Sequence, residues 1–271
     1  MNTAKADNIF YILGFQRSGT TILCHLLDKH PEVSCANEPE LSKTIVYGRV
    51  DKLEKIENHA INRCIEYHGA FPDEYLNLVG RYRNGELDEH AFLSSAYRLF
   101  AKPNSAMAGA KEALEIAAEK FSWLEKLVGI HSGMGVKYVF VERDIKDIVA
   151  SFLTFGFFPP GKKKLNFRNM KQFVKSYFKI IDNAVALLEK KDVLFKRFED
   201  IAAEPRKELS DIFEFLGVDA SDETVAEVAE TPSSGSQAEY RGEFGPIRGN
   251  RALLPDKWEK WLERRIQSGK L

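Results

Sequence analysis

The 271-residue chain has no apolar run approaching the roughly 20 residues that a membrane-spanning helix needs. Its N-terminus, Met1 to Asn8, is polar, and the apolar stretch that follows is too short for a secretory h-region. Cysteine is scarce: Cys24, Cys35 and Cys64 are odd in number and show no C-x-x-C spacing, which excludes a disulfide framework and a cysteine-based zinc site and fits a reducing compartment. Charge of one sign is lacking too, with 39 Lys and Arg against 40 Asp and Glu. No global basic field points to nucleic acid, so any anion site has to be assembled locally. Repeats and low-complexity stretches are missing, and no linker divides the chain. These absences predict one soluble, cytoplasmic domain over 1–271 with a sizeable core and neither a membrane nor a nucleic-acid partner. The sequence is silent on oligomeric state.

The most informative absence is a single lysine. Residues 10–31 read F-Y-I-L-G-F-Q-R-S-G-T-T-I-L-C-H-L-L-D-K-H-P. Phe10 to Leu13 has the apolar, aromatic character of a strand buried in a parallel sheet. From Thr20 onward Leu23, Leu26 and Leu27 recur at helical spacing, and Pro31 marks the end. Between strand and helix lie Gly14, Arg17, Ser18, Gly19, Thr20 and Thr21. Glycines let the backbone turn its N–H groups inward, the helix start adds partial positive charge, and the three hydroxyls with a guanidinium complete a cradle for a phosphate-like group. The spacing nearly matches the nucleotide-triphosphate loop G-x-x-x-x-G-K-[ST], but Thr20 stands where that loop needs Lys. The cation has moved into the loop as Arg17, which argues against ordinary ATP or GTP use.

Further along, C-A-N-E-P-E-L-S-K at 35–43 is turn-like and follows a short strand predicted at Val33 to Cys35. Residues of about 43–107 are mainly helical, with breaks at 69–72 and 83–85, and are expected to cap the sheet and shape an acceptor pocket. A brief strand is expected at Ala108 to Lys111 and a helix at Ile116 to Val128. The block V-K-Y-V-F-V-E-R-D-I-K-D-I-V-A-S-F at 136–152 reads as a strand, an Asp144 N-cap and a helix carrying Ile145, Ile148, Val149 and Phe152 on one face. Arg143 thereby falls at the carboxyl end of a strand, where open α/β sheets bind ligands, and Ser151 lies about two turns into the helix.

The Pro, Gly and Lys content of about 156–169 predicts a mobile surface loop. A long helix at 170–190, a strand at 193–198 and a helix at 204–216 closed by Gly217 follow. Strands alternating with helices give a three-layer α/β sandwich whose central sheet is mostly parallel, with helices on both faces. The last loop, 233–251, combines glycines, among them Gly249, with Arg241, Arg248 and Arg251, a composition suited to wrapping a phosphate or to a flexible connection. A helix at 256–267 carries Trp258 and Trp261 inward.

Together these blocks resemble the sulfotransferases that use 3′-phosphoadenosine 5′-phosphosulfate (PAPS), a family with a P-loop NTPase-like fold. G-F-Q-R-S-G-T-T resembles the family's 5′-phosphosulfate loop in its Arg-containing form. V-E-R-D-I-K-D-I-V-A-S is similar to the 3′-phosphate block R-D-P-R-D-x-x-x-S, with Ile145 in place of the proline. F-K-R-F-E-D-I-A-A-E-P at 195–205 is similar to Y-E-D-L-x-x-x-P, with Phe198 where the family has a tyrosine beside the adenine. The C-terminal Gly/Arg loop is a weaker match. The resemblance implies that Arg17, Ser18, Gly19, Thr20 and Thr21 hold the 5′-phosphosulfate, that Arg143 and Ser151 hold the 3′-phosphate as a second site, and that Arg241, Arg248 and Gly249 add to it. No metal is implied, since positioning and hydrogen bonds suffice for sulfuryl transfer.

The catalytic base departs from the cytosolic pattern, in which a His follows a Lys by two positions: after Lys111 come Glu112 and Ala113. Other branches place a glutamate in an E-P segment, and A-N-E-P-E is similar to it, which makes Glu38 the first candidate base with Glu40 and Glu112 behind it. Arg17 and Lys111 are candidates for stabilising departing charge, Lys111 alternatively pairing with a surface acid. The expected activity is sulfuryl transfer to a hydroxyl, or less often an amine, of a small-molecule acceptor. The competing readings are a P-loop nucleotide-dependent small-molecule kinase, disfavoured by Thr20, and a non-catalytic nucleotide-binding module.

Overall fold

The structure, a computed structural model, describes residues 8–37, 41–49, 53, 73–114, 121–132, 134–155, 157–158, 163–164, 166–230 and 254–267. The chain runs β1 (Ile9–Phe15), α1 (Thr20–Lys29), β2 (Val33–Asn37), α2 (Leu41–Val46), α3 (Asp73–Arg83), α4 (Glu89–Leu99), β3 (Met107–Leu114), α5 (Phe121–Ile130), β4 (Lys137–Glu142), α6 (Ile145–Phe155), β5 (Phe157–Phe158), β6 (Lys163–Lys164), α7 (Phe167–Leu188), β7 (Val193–Arg197), α8 (Phe198–Ala203), α9 (Pro205–Leu216), α10 (Asp222–Glu230) and α11 (Asp256–Gln267).

Five strands form one sheet in the order β2-β3-β1-β4-β7, and every neighbouring pair is parallel. β1 is central and wholly buried. Successive side chains of a strand point to opposite faces, so Ile9, Tyr11, Leu13 and Phe15 enter one apolar core while Phe10 and Ile12 enter the other. Burial on both faces is why β1 reads as an unbroken apolar run rather than an alternating one. On the first face lie α2 to α7 and α11; on the second lie α1 with Leu23 and Leu27, α8, α9 with Ile212 and Phe213, and α10. This is the three-layer α/β sandwich expected, with a main sheet that is parallel throughout.

Local chemistry accounts for the element ends. Asp88 accepts from the Ala91 N–H at 2.7 Å and Asn166 from the Asn169 N–H at 2.9 Å, each satisfying a helix-start donor. Asp144 accepts from the Lys146 N–H at 2.8 Å, as the sequence predicts. Pro205 opens α9 and Gly217, at φ 79°, closes it. Lys102 caps the other end of α1, its Nζ donating to the Asp28 and His30 carbonyls at 2.7 Å each.

Two expectations shift. The strand predicted at 108–111 extends to Met107–Leu114 because it is sandwiched between β1 and β2. The stretch read as a surface loop at 156–169 contains an antiparallel pair, β5 with β6, and the first residues of α7, whose Asn166 cap starts the helix three residues before Met170. Tyr75 of α3 is a core residue, 1% exposed, with its hydroxyl donating to the Leu53 carbonyl at 2.9 Å.

Candidate active site

β1 ends at Phe15 in the middle of the sheet, with β3 on one side and β4 on the other. This is where strand order reverses, the crevice in which open α/β sheets bind ligands. The loop that leaves β1 is tightly built. A Cβ on Gly14 would stand 2.6 Å from the Val141 carbonyl oxygen and 2.7 Å from both Ser18 Oγ and Thr20 Cγ2. Gly19, at φ 92°, leads into α1, and a Cβ there would enter the Phe198 ring at 2.1 Å. Arg17 itself takes φ 70°, an uncommon conformation for a residue with a Cβ.

The start of α1 is an open donor site. Gly19 offers no capping side chain, and the first turn has no acid, so its N–H groups and the helix dipole face the loop unneutralised. Ser18 is fully buried, and its Oγ makes no hydrogen bond to a described residue. A buried hydroxyl without a partner is costly unless something completes it, and an anion in the cradle would do so. Thr20 is 3% exposed, while Arg17, Gly19 and Thr21 are half-buried at the rim.

The second block meets this loop directly. Arg17 Nε donates to Ser151 Oγ at 3.0 Å, and Arg143 Nη1 donates to the Arg17 carbonyl at 2.9 Å. The sequence describes two separate phosphate sites; in the structure their side chains share hydrogen bonds, because α6 runs beside the loop. Arg143 is held further by the Phe198 ring, 4.9 Å from its Cζ, and by the Tyr177 hydroxyl, which donates to its carbonyl at 3.2 Å. Burial, and the carboxylates of Glu142, Asp144 and Glu199, raise the Tyr177 pKa, so this phenol stays a donor. Phe198 is 1% exposed and packs under Gly19 and Arg143.

β3 supplies Lys111 and Glu112, adjacent residues on opposite faces. Lys111 is 4% exposed and shares its face with Met107; Asn37, the last residue of β2, is its register partner. Glu112, 0% exposed, lies on the other face among Ala108, Ala110 and Leu114. There it neighbours a ring of three buried hydroxyls: Tyr11 donates to Tyr97 at 2.7 Å, and Ser42 Oγ lies 2.7 Å from the Tyr11 hydroxyl and 2.8 Å from that of Tyr97. Burial first, and the Glu112 charge after it, raise the Tyr97 pKa. Lys111 and Glu112 therefore do not converge on one atom.

Glu38, Glu40, Arg241, Arg248 and Gly249 lie outside the described residues. The structure adds participants that the sequence does not single out. Glu199 Oε1 accepts from the Asp144 N–H at 2.9 Å and so steadies the turn that follows Arg143. Asn37 Oδ1 is buried at the carboxyl edge and accepts no hydrogen bond from a described residue. Its only sequence signal is position, one residue before Glu38.

Residues 9–222 match the family described as the Sulfotransferase family. The chain belongs to the sulfotransferase family. A curated relative of this sulfotransferase, nodulation protein NoeE of Sinorhizobium fredii, is 48% identical over 44 residues, which is 16% of this chain and 10% of that one. The match thus spans a tenth of the relative's length. Among solved structures, the sulfotransferase domain of the Synechococcus PCC 7002 olefin synthase superposes with a TM-score of 0.65 at 17% identity, covering 91% of this chain and 88% of its own. The sulfotransferase domain of the curacin biosynthetic pathway gives 0.60 at 16%, covering 93% and 90%. Mouse sulfotransferase SULT7A1 complexed with PAP gives 0.54 at 14%, covering 96% and 83%. At these identities the likeness is one of fold.

Proposed function

We propose that this protein transfers a sulfuryl group from PAPS to a hydroxyl, or less often an amine, of a small-molecule acceptor. The observation that carries the reading is the meeting of Arg17, Ser151 and Arg143 at the open start of α1. An anion cradle without the usual lysine, joined to a second cation and hydroxyl, suits a donor that bears a 5′-phosphosulfate and a 3′-phosphate. Mouse SULT7A1, which shares the fold, is complexed with PAP, and 3′,5′-adenosine bisphosphate is what such a transfer leaves behind.

In the proposed reaction the acceptor oxygen bonds to sulfur in line as the bond from sulfur to the bridging phosphate oxygen breaks. Glu38 takes the acceptor proton. Arg17, the Thr20 and Thr21 N–H groups and Lys111 neutralise the charge that develops on the leaving phosphate. Glu38 follows Asn37 directly, and Asn37 ends β2 opposite Lys111, which supports placing base and cation at one edge. Glu40 is a reserve base from the same segment. Glu112, sealed beside Tyr11 and Tyr97 on the opposite face of β3 from Lys111, is not assigned to proton transfer. The chemistry asks for no metal.

The test is transfer of labelled sulfate from PAPS across an acceptor library, with Glu38→Gln alongside. The expected result is product formation insensitive to EDTA, a strong loss of turnover in the variant and nearly unchanged binding of 3′,5′-adenosine bisphosphate. Near wild-type turnover in Glu38→Gln removes Glu38 as base. Nucleotide binding that requires Mg²⁺ removes the sulfuryl-transfer reading in favour of a kinase.

A further inference from the structure

Between Asn166 and Ile181 every charged residue is a cation: Arg168, Lys171, Lys175 and Lys179. All lie on α7, and at 3.6 residues per turn they fall within about 80° of arc. They form a straight row about 16 Å long with roughly one charge per turn. Met170, Phe173, Val174 and Tyr177 fill the opposite, buried face. Arg168, Lys175 and Lys179 are exposed and Lys171 half-buried. None of the four forms an ion pair with a described residue, whereas other surface helices pair their charges, as Lys207 does with Glu204, Arg206 with Glu230 and Lys146 with Glu263.

This row works against the helix that carries it. Like charges three and four residues apart repel along a helix face. Arg168 sits in the first turn, where the macrodipole disfavours a cation and where α7 has no acid to offset it. The row ends at Asp182, exposed on the same arc three residues beyond Lys179, so the uninterrupted cationic stretch covers the first turns of α7 and no acid balances it there. The arrangement is consistent with a missing anionic counterpart rather than with solvent.

The surroundings narrow the counterpart. Next to the row, the Phe167 ring has Lys171 Nζ at 4.6 Å and Lys257 Nζ at 4.9 Å from its centroid, and Arg265 Cζ lies 5.7 Å from the Trp261 ring. Those faces are engaged by cations, so they do not offer the open platforms on which nucleic-acid bases stack. Among the described residues the exposed large hydrophobics are Leu76, Phe195 and Ile266, none of them on α7, so the row has no apolar side chain to insert into a bilayer. A helix with one Asp or Glu per turn on a single face matches both the pitch and the length of the row.

We infer that the exposed face of α7 is a docking surface for an acidic helix of a partner protein. The position has a consequence for the active site. On its buried side the same helix holds Arg143 through Tyr177 and packs Phe173 and Tyr177 on Phe15, with ring centroids 5.8 and 4.9 Å apart. A partner seated there lies one helix away from the anion loop.

The experiment uses the full chain and a labelled 20-residue helical peptide with Glu once per turn on one face. A peptide of the same composition with its Glu residues scattered around the helix, phosphatidylserine vesicles and a single-stranded oligonucleotide serve as comparisons. The patterned peptide is expected to bind on the order of tenfold more tightly than the scattered one, and to weaken steeply between about 0.05 and 0.3 M salt. The variant Arg168→Gln/Lys171→Gln/Lys175→Gln/Lys179→Gln is expected to lose about tenfold in peptide affinity and to keep its affinity for 3′,5′-adenosine bisphosphate. Equal binding of the two peptides, or an unaffected variant, overturns the docking surface. Preferred binding of vesicles or oligonucleotide overturns the choice of a protein partner. The comparison between peptides uses the unaltered chain and stands whether or not the variant folds.

Discussion

Arg17 Nε donates to Ser151 Oγ at 3.0 Å, joining the loop after β1 to a helix residue 134 positions later. Ser151 is 1% exposed, so its hydroxyl belongs to this contact rather than to bulk solvent. Two roles follow, and they separate experimentally. If Ser151 binds a 3′-phosphate, Ser151→Ala weakens 3′,5′-adenosine bisphosphate but spares adenosine 5′-monophosphate. A hydrogen bond to a charged group contributes about 1.5–3 kcal/mol, which corresponds to roughly 10- to 100-fold in affinity. If Ser151 acts only by fixing Arg17, both nucleotides weaken alike. Calorimetric titration of the two ligands distinguishes the outcomes, and equal losses withdraw the 3′-phosphate assignment.

Gly19 is required twice over, by its φ of 92° and by the Phe198 ring lying where its Cβ would go. Gly19→Ala is therefore expected to destabilise the fold by more than the roughly 1–3 kcal/mol of a strained backbone position alone, and to remove nucleotide binding by displacing the loop. Adding Phe198→Ala frees the space but leaves the φ penalty, so the double variant should recover only part of the loss. Urea denaturation of the three variants measures this. A Gly19→Ala midpoint equal to that of the unaltered chain contradicts the packing.

The loop at 14–21, the strand-to-helix rhythm and the Asp144 cap are legible in the sequence because each rests on neighbours in the chain. Gly14 and Gly19 announce a turn whatever surrounds them. What packs against them does not show: the Phe198 ring under Gly19 comes from the start of α8 and the Val141 carbonyl beside Gly14 from β4, both far along the chain. For the same reason Arg143 and Ser151 are legible as candidate phosphate ligands but not as partners of Arg17. Lys111 and Glu112 both read as site candidates, and only strand alternation between two covered faces puts one on the Asn37 side of the sheet and the other beside the Tyr11–Ser42–Tyr97 hydroxyls. The lengths of β3 and α7 escape the local pattern because sheet pairing extends one and a cap residue starts the other.

His131 links pH to stability. Burial first, then the charge of nearby His90, lowers its pKa from 6.5 to about 3, while Nδ1 shares a hydrogen bond with the Tyr138 hydroxyl at 2.8 Å. Between those values the unfolded chain binds a proton that the native protein refuses. Stability therefore falls as pH drops from about 6.5 toward 3, by about 1.4 kcal/mol per pH unit for this one group. His131→Gln removes that titration, so its stability curve should be lower at pH 7 and shallower below pH 6.5. Denaturant unfolding at pH 7, 6 and 5 gives the gap between the two proteins, which narrows by about that amount per unit in the acid range. Parallel curves would mean that His131 charges as readily in the folded protein as in the unfolded one.

Asn37 separates stability from catalysis. Its Oδ1 is buried and accepts no hydrogen bond from a described residue, at the end of β2 opposite Lys111. An acceptor that no described residue satisfies costs about 1–3 kcal/mol when buried, and such a cost at the edge of the candidate site points to a group held for function. Asn37→Ala removes this oxygen, which no described residue satisfies, together with its burial cost, at the expense of a few side-chain contacts. Thermal stability is expected to stay level or rise, while turnover with PAPS and a working acceptor falls about tenfold, the effect expected of a misplaced acceptor or base. Binding of 3′,5′-adenosine bisphosphate should hold, since Arg17, Ser18 and Arg143 are untouched. A variant that is destabilised but fully active would place Asn37 among the structural residues. One that is stable and slow would place the transfer at the β2 edge, beside Glu38.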